Sequence, residues 1–274
     1  MILDGRKVRD EILDELEKTI EDENLKITLA IIQVGDNEAS NIYVKNKVAA
    51  CKKVGISTLV NKMIEDTSEE QVLKVIDEYN NDPNITGIIL QSPLPEGLNF
   101  DKCSGTILSK KDVDGFTKDN VYNLYLNRKS ILPCTVTGII RLLDYYDITL
   151  EGKHVVIVGR GSIVGKPLGL ALLNRNATVT YAHSKTKDLA SITKTADILI
   201  SATGIAHLIK ADMVKDGVVV VDVGISRVDG HIIGDVDFEN VSKVASYITP
   251  NPGGVGPMTV AMIIDNLVEM KRNI

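Results

Sequence analysis

The sequence predicts an α/β fold of two lobes built on parallel sheets, and three observations support this. Short β-branched, apolar runs alternate with helical stretches along the 274 residues. The runs are apolar nearly throughout rather than at every second position, as in strands covered on both faces. Two such series are separated by a change near residues 136–148.

The first series places strands at 27–34 (ITLAIIQV), 57–62 (STLVNK) and 85–91 (ITGIILQ). Helices are expected between them at 38–53 and 68–80. Ser68 opens the second of these, with Glu69 and Glu70 in its first turn, where acids complement the helix dipole. Residues 92–105 are rich in Pro and Gly and read as a loop. The second series places strands at 154–159, 178–182, 197–202 and 218–224. An Asp-Gly pair inside 227–236 predicts a hairpin. A final helix over about 259–272 follows the loop 249–257.

Composition excludes several classes. A net charge of −6 without a Lys/Arg cluster argues against nucleic acid. No apolar run approaches the roughly 18 residues of a membrane helix. The start, MILDGRKVRDEIL, lacks the apolar core of a signal peptide. Cys51, Cys103 and Cys134 are too few and too scattered for a disulfide framework or a zinc site, so a cytoplasmic protein is expected.

The stretch 154–173 runs strand, Gly-rich turn, helix, the context in which backbone N–H groups approach a phosphate at a helix N-terminus. Gly159, Gly161 and Gly165 are spaced G-x-G-x-x-x-G, one residue longer than the usual dinucleotide fingerprint. A Walker A loop fails because Pro167 follows Lys166. A tight turn without a ligand is the bland alternative. After the next strand no acid appears until Asp188, whereas an NAD site places one there for the ribose hydroxyls. Arg160, Ser184 and Lys185 suit a 2′-phosphate instead, which favours NADP.

Four stretches stand out as substrate contacts. In 39–50, Tyr43 and Lys47 lie four apart on one helical face with Ser40, while Lys45 points elsewhere. Gln91 ends a strand, where ligands gather in such sheets. Asp112 and Asp114 share the turn 112–115, too few acids to make a metal site alone. The loop 250–257 carries three prolines and three glycines, stiff yet open to close approach. Cys134 has no readable base partner, and no Ser/His/Asp arrangement is present.

Together these stretches resemble the bifunctional methylenetetrahydrofolate dehydrogenase/methenyltetrahydrofolate cyclohydrolase family along almost the whole chain. The resemblance is carried by 34–47, 87–95, 112–115, 133–135, 158–167, 183–186 and 249–259, in that order. It implies an N-terminal α/β catalytic lobe over 1–136, joined by the helix 258–274. It also implies a Rossmann-like nucleotide-binding lobe over 137–257, a cleft between the lobes, and a cytoplasmic homodimer without nucleic-acid or membrane partners. Tetrahydrofolate derivatives would be the substrates, NADP the cofactor, and no metal is implied.

Carried over by position, Lys47 is the catalytic lysine, Gln91 its hydrogen-bonding partner, Tyr43 the ring stacking on folate and Asp114 the pterin anchor. Ser40, Pro252, Gly253, Gly254 and Val255 join Tyr43, Gln91 and Asp114 around the substrate. Gly159, Arg160, Gly161, Ser162, Ile163, Gly165, His183, Ser184, Thr203, Gly204, Gly224 and Ile225 would hold NADP. Asp114 is expected far from Lys47, because a nearby acid would hold the lysine's proton. The chain departs from the family pattern at Ser92, Val136, Gly161 and Asn251, where Leu, Pro, Ser and Val are common. A dehydrogenase lacking hydrolysis, or a non-catalytic NADP-binding module, are the competing readings.

Overall fold

A computed structural model describes residues 1–228 and 230–272. Asp229, half of the expected Asp-Gly turn, and the last two residues of the expected C-terminal helix lie outside the described residues. The chain divides into two compact units. One comprises Asp10–Cys134 with Val260–Ile274, the other Met1–Arg9 with Thr135–Thr259.

In chain order the first elements are α1 (Gly5–Asp22), β1 (Thr28–Val34), α2 (Glu38–Lys53), β2 (Ser57–Met63), α3 (Glu69–Asn81) and β3 (Gly87–Leu90). Then come α4 (Phe100–Ser104), α5 (Lys118–Tyr125) and α6 (Cys134–Tyr145). The three strands form a parallel sheet in the order β2-β1-β3. β1 is central and buried along almost its whole length. β2 is an edge strand with Leu59 and Val60 exposed, which explains its mixed composition. Ile76 of α3 packs with Ile32 and Ile88 into one core cluster. Ser68 caps α3 through a reciprocal capping box with Gln71, a contact that typically stabilises a helix by about 1 kcal/mol.

The remaining elements are β4 (His154–Val158), α7 (Gly165–Leu173), β5 (Thr178–Ala182), α8 (Leu189–Thr193), β6 (Ile198–Ser201) and β7 (Val219–Asp222). After them lie β8 (Ser226–Val228), β9 (His231–Ile233), α9 (Phe238–Val241), β10 (Tyr247–Ile248) and α10 (Val255–Arg272). Five parallel strands run β10-β7-β6-β4-β5. The chain starts at β4, steps to one side for β5, and returns to the other for β6. That reversal makes the C-terminal end of β4 a topological switch point, where doubly wound sheets bind ligands. β8 and β9 pair antiparallel as the expected hairpin, with Val228 opposite His231.

Several elements differ from the expectation: α5, α6, α9 and the fifth strand β10 were not among the expected elements. α1, rich in charge, escaped the sequence reading. The 92–105 loop contains the short helix α4, capped by the Asn99 side chain. The last helix begins at Val255, not near 259. Pro257 is compatible with that earlier start because first-turn N–H groups have no intrahelical partner to lose.

Candidate active site

The first group of side chains forms where α2 passes the end of β3. Asn37 caps α2 by accepting from Ser40 N at 3.1 Å. Ser40 is buried and its hydroxyl donates to Ser92 O at 3.4 Å. The same carbonyl accepts Gln91 Nε2 at 2.7 Å. This fixes the amide, so Gln91 Oε1 is left to accept Lys47 Nζ at 3.0 Å. Lys47 is half-buried, Lys45 is exposed, and Tyr43 presents an exposed ring one turn before Lys47. The lysine therefore meets a neutral amide.

Asp114 is held by different forces. Burial pushes its carboxyl above the usual range, Lys47 opposes that shift, and Asp112 adds to it. The expectation that Asp114 lies far from Lys47 is thus corrected. Its turn brings it within reach of the lysine's charge, and desolvation outweighs the attraction. Asp112 is structural: its carboxylate accepts Thr117 N at 2.7 Å and Asn120 Nδ2 at 2.9 Å. Among the described residues no group of three or more His, Cys, Asp or Glu is placed to hold a metal.

The Cys134 thiol is buried beside Asp114, and its pKa is pushed well up, first by burial and then by that carboxylate. It is an inert thiol. Asn266 of α10, unremarked in the sequence, donates to Val113 O at 2.9 Å and so fixes the backbone next to Asp114.

The second group follows β4 in the other unit. A Cβ on Gly159, whose φ is +117°, would sit 2.3 Å from Ala202 O. One on Gly165 would sit 2.4 Å from Gly159 O, whereas one on Gly161 would meet nothing within 4 Å. The first and third glycines are required by packing, and the second leaves an open face for a ligand. A hollow of about 510 Å³ is bordered by Gly159, Arg160, Gly161, His183, Ser184 and Thr203. Lys185 is not in its wall. Instead its N–H donates to His183 Nδ1 at 3.2 Å, and His183 N donates to Thr186 Oγ1 at 2.8 Å, so the imidazole is oriented. A neighbouring hollow of about 380 Å³ is bordered by Gly161, Ser162, Ile163, Gly165, Gly204 and Gly224.

Two buried acids shape these walls, and the sequence reading missed both. Asp235 accepts from Ser201 Oγ at 2.8 Å, Thr203 N at 2.7 Å and Ile205 N at 2.9 Å. A Cβ on Gly224 would fall 1.9 Å from its Oδ1, so Gly224 makes room for that carboxylate. Asp222 accepts from Asp235 N at 2.9 Å and Val236 N at 3.1 Å. Burial pushes Asp222 up to about 7. An acid ending an apolar strand two residues before a glycine was the available signal.

Pro252, Gly253, Gly254 and Val255 border a third hollow of about 190 Å³ in the same unit, with Arg6, Asp222 and Ile225. Gly5 N donates to Gly253 O at 3.0 Å, and Gly254 N to Pro250 O at 2.8 Å, which fixes the loop. Ile225 borders this hollow rather than the two beside the glycine turn.

Residues 3–114 match the tetrahydrofolate dehydrogenase/cyclohydrolase catalytic domain, and 133–274 match the NAD(P)-binding domain of the same name. The chain belongs to the tetrahydrofolate dehydrogenase/cyclohydrolase family. It is 48% identical over 274 residues to the bifunctional protein FolD of Lactobacillus helveticus, covering 99% of this chain and 97% of that one. The crystal structure of the bifunctional FolD methylenetetrahydrofolate dehydrogenase/cyclohydrolase of Campylobacter jejuni superposes with a TM-score of 0.97 at 47% identity. That match covers 100% of this chain and 99% of the other. The Trypanosoma brucei methylenetetrahydrofolate dehydrogenase-cyclohydrolase, solved with NADP and an inhibitor, is 32% identical with a TM-score of 0.94. It is matched over 97% of its length by all of this chain.

Proposed function

We propose that the chain oxidises 5,10-methylenetetrahydrofolate to the 5,10-methenyl form with NADP⁺ and hydrolyses that form to 10-formyltetrahydrofolate. The observation that carries this reading is the 3.0 Å contact of Lys47 Nζ with the neutral Gln91 Oε1. An amide holds the lysine in place without adding negative charge, leaving its nitrogen free to exchange protons. Burial raises the Asp114 carboxyl above its ordinary range even though the Lys47 charge opposes the shift.

NADP⁺, when bound, accepts the hydride from the one-carbon bridge. The open face at Gly161 and the packed glycines at Gly159 and Gly165 fit a pyrophosphate approaching the start of α7. Arg160 and Ser184 provide a cation and a hydroxyl for a 2′-phosphate in the same hollow. Ser162, Ile163, His183, Thr203, Gly204, Gly224 and Ile225 complete the proposed cofactor set.

The exposed Tyr43 ring offers a flat stacking surface for the pterin, and Asp114 hydrogen-bonds its ring nitrogens. Ser40 orients this end of the site through Ser92 O. Pro252, Gly253, Gly254 and Val255 contact the remainder of the folate. In the hydrolytic step water bonds to the bridging carbon and gives up a proton. The hydroxyl then loses its remaining proton as the carbon–N5 bond breaks and N5 takes a proton, so the formyl group stays on N10 and one proton is released overall. Lys47 carries these protons, while hydride transfer needs chiefly orientation.

Methylenetetrahydrofolate and NADP⁺ are mixed with the protein, and NADPH, methenyl and formyl products are followed separately. All three should accumulate in sequence. NADPH without enzyme-dependent formyl product would leave only a dehydrogenase, and cofactor binding without NADPH would contradict the proposal altogether. A cytoplasmic homodimer using the β8–β9 hairpin, where Val228 and Ile232 are exposed, is the proposed assembly. Light scattering should return twice the 29.8 kDa chain mass. No described helix is long and apolar enough to cross a membrane.

A further inference from the structure

Asn251 lies against a wall shared by two hollows. Val223 and Gly224 border the hollow that also contains Gly161, Ser162 and Thr203. Asp222, Val223 and Ile225 border the hollow of the 252–255 loop. The segment 222–225, at the C-terminal end of β7, therefore faces a different space on each side. The Asn251 amide donates to Gly224 O at 2.7 Å and also to the Asp222 carboxylate.

The connection continues past this wall. Asp222 accepts Asp235 N at 2.9 Å, and Asp235 accepts Thr203 N at 2.7 Å and Ile205 N at 2.9 Å. A hydrogen-bonded path thus leads from the loop after Pro250 to the loop after Ser201. It is tightly packed: a Cβ on Gly234 would sit 1.9 Å from Asp222 Oδ2 and 2.7 Å from Asn251 Nδ2. A valine at 251 would occupy similar space with no donor, separating the loop from the wall.

We infer that Asn251 is a positioning residue that makes the nucleotide and the folate bind cooperatively, by tying the 252–255 loop to the wall of the nucleotide hollow. This rests on the function proposed above. A nucleotide that settles Thr203 and Gly224 settles Asn251 through them, so the loop meets folate with less freedom left to lose. Coupling of this kind is reciprocal: folate must tighten nucleotide binding by the same factor.

The test is calorimetric titration of the full chain with tetrahydrofolate, with and without saturating NADP⁺, in wild type, Asn251→Val and Asn251→Asp. Tetrahydrofolate carries no one-carbon unit, so no turnover intervenes. NADP⁺ should tighten tetrahydrofolate binding to wild type about three- to tenfold, the range one hydrogen bond can carry. The gain should fall below about twofold in both variants, since neither valine nor aspartate donates to Gly224 O. The converse titration of wild type, NADP⁺ with and without tetrahydrofolate, must return the same factor. A wild type without any gain, or a variant that keeps the full gain, overturns the inference and leaves the proposed function standing. A wild type that binds neither ligand overturns the proposed function instead.

Discussion

The molecule builds its two candidate ligand sites by opposite means. Around Lys47 the arrangement consists of side chains holding one another: Gln91 fixed by Ser92 O and presenting its oxygen to the lysine, with Ser40 on the same carbonyl. Around Gly159 it consists of side chains left out, because a Cβ at 159 or 165 would run into backbone. Each region also carries an acid raised by desolvation, Asp114 opposed by a lysine and Asp222 by backbone N–H donors. The difference teaches that substitutions should act by different routes. In the first region they change chemistry; in the second they change shape.

The most severe way to press this contrast is Gly159→Ala. The added methyl meets Ala202 O at 2.3 Å and the φ of +117° suits no L residue. A loss of about 3 kcal/mol or more in stability is expected, with NADP⁺ binding abolished. Thermal melts with and without NADP⁺ check this, and a variant melting like wild type and still shifted by the nucleotide would break the contrast.

Arg160→Ala sharpens it, since Arg160 brings a cationic side chain to the wall of the hollow beside the glycine turn. Loss of a charge-assisted contact should weaken NADP⁺ binding by about 10- to 100-fold and leave NAD⁺ binding little changed. Equal losses for both nucleotides would remove Arg160 from the 2′-phosphate.

A smaller effect follows from Asp222. Its folded-state pKa is raised to about 7 by burial, so its carboxyl holds a proton more tightly when folded. That contribution to stability is fully present below the unfolded-state value near 4 and is lost as pH rises through about 7. Denaturant titrations of wild type and Asp222→Asn at pH 5 and pH 8 should show wild type losing roughly 1–3 kcal/mol relative to the variant. A difference independent of pH would mean that Asp222 is ionised throughout.

Much of this was legible in the residues because local periodicity encodes it. The four-residue spacing of Tyr43 and Lys47 separates them from Lys45, and the continuous apolar runs match parallel strands buried on both faces. Gln91 was readable as a strand end. What the sequence hid are distances between segments. Nothing local says that the 112–115 turn approaches Lys47, or that Asp235, 34 residues after Ser201, accepts its hydroxyl. The early start of α10 was masked by Pro257, which reads as a breaker unless its first-turn position is known. Charge obscured α1, whose apolar positions Val8, Ile12, Leu16 and Ile20 are buried at helical spacing.

In the proposed mechanism Lys47 handles protons in hydrolysis, while hydride transfer depends on placement. Lys47→Ala, assayed for NADPH formation from methylenetetrahydrofolate and for hydrolysis of supplied methenyltetrahydrofolate, tests it most directly. Hydrolysis should fall by about 10²- to 10⁴-fold, the usual contribution of a general acid–base group, while NADPH formation falls by no more than about tenfold. Equal, slight losses in both activities would contradict the account.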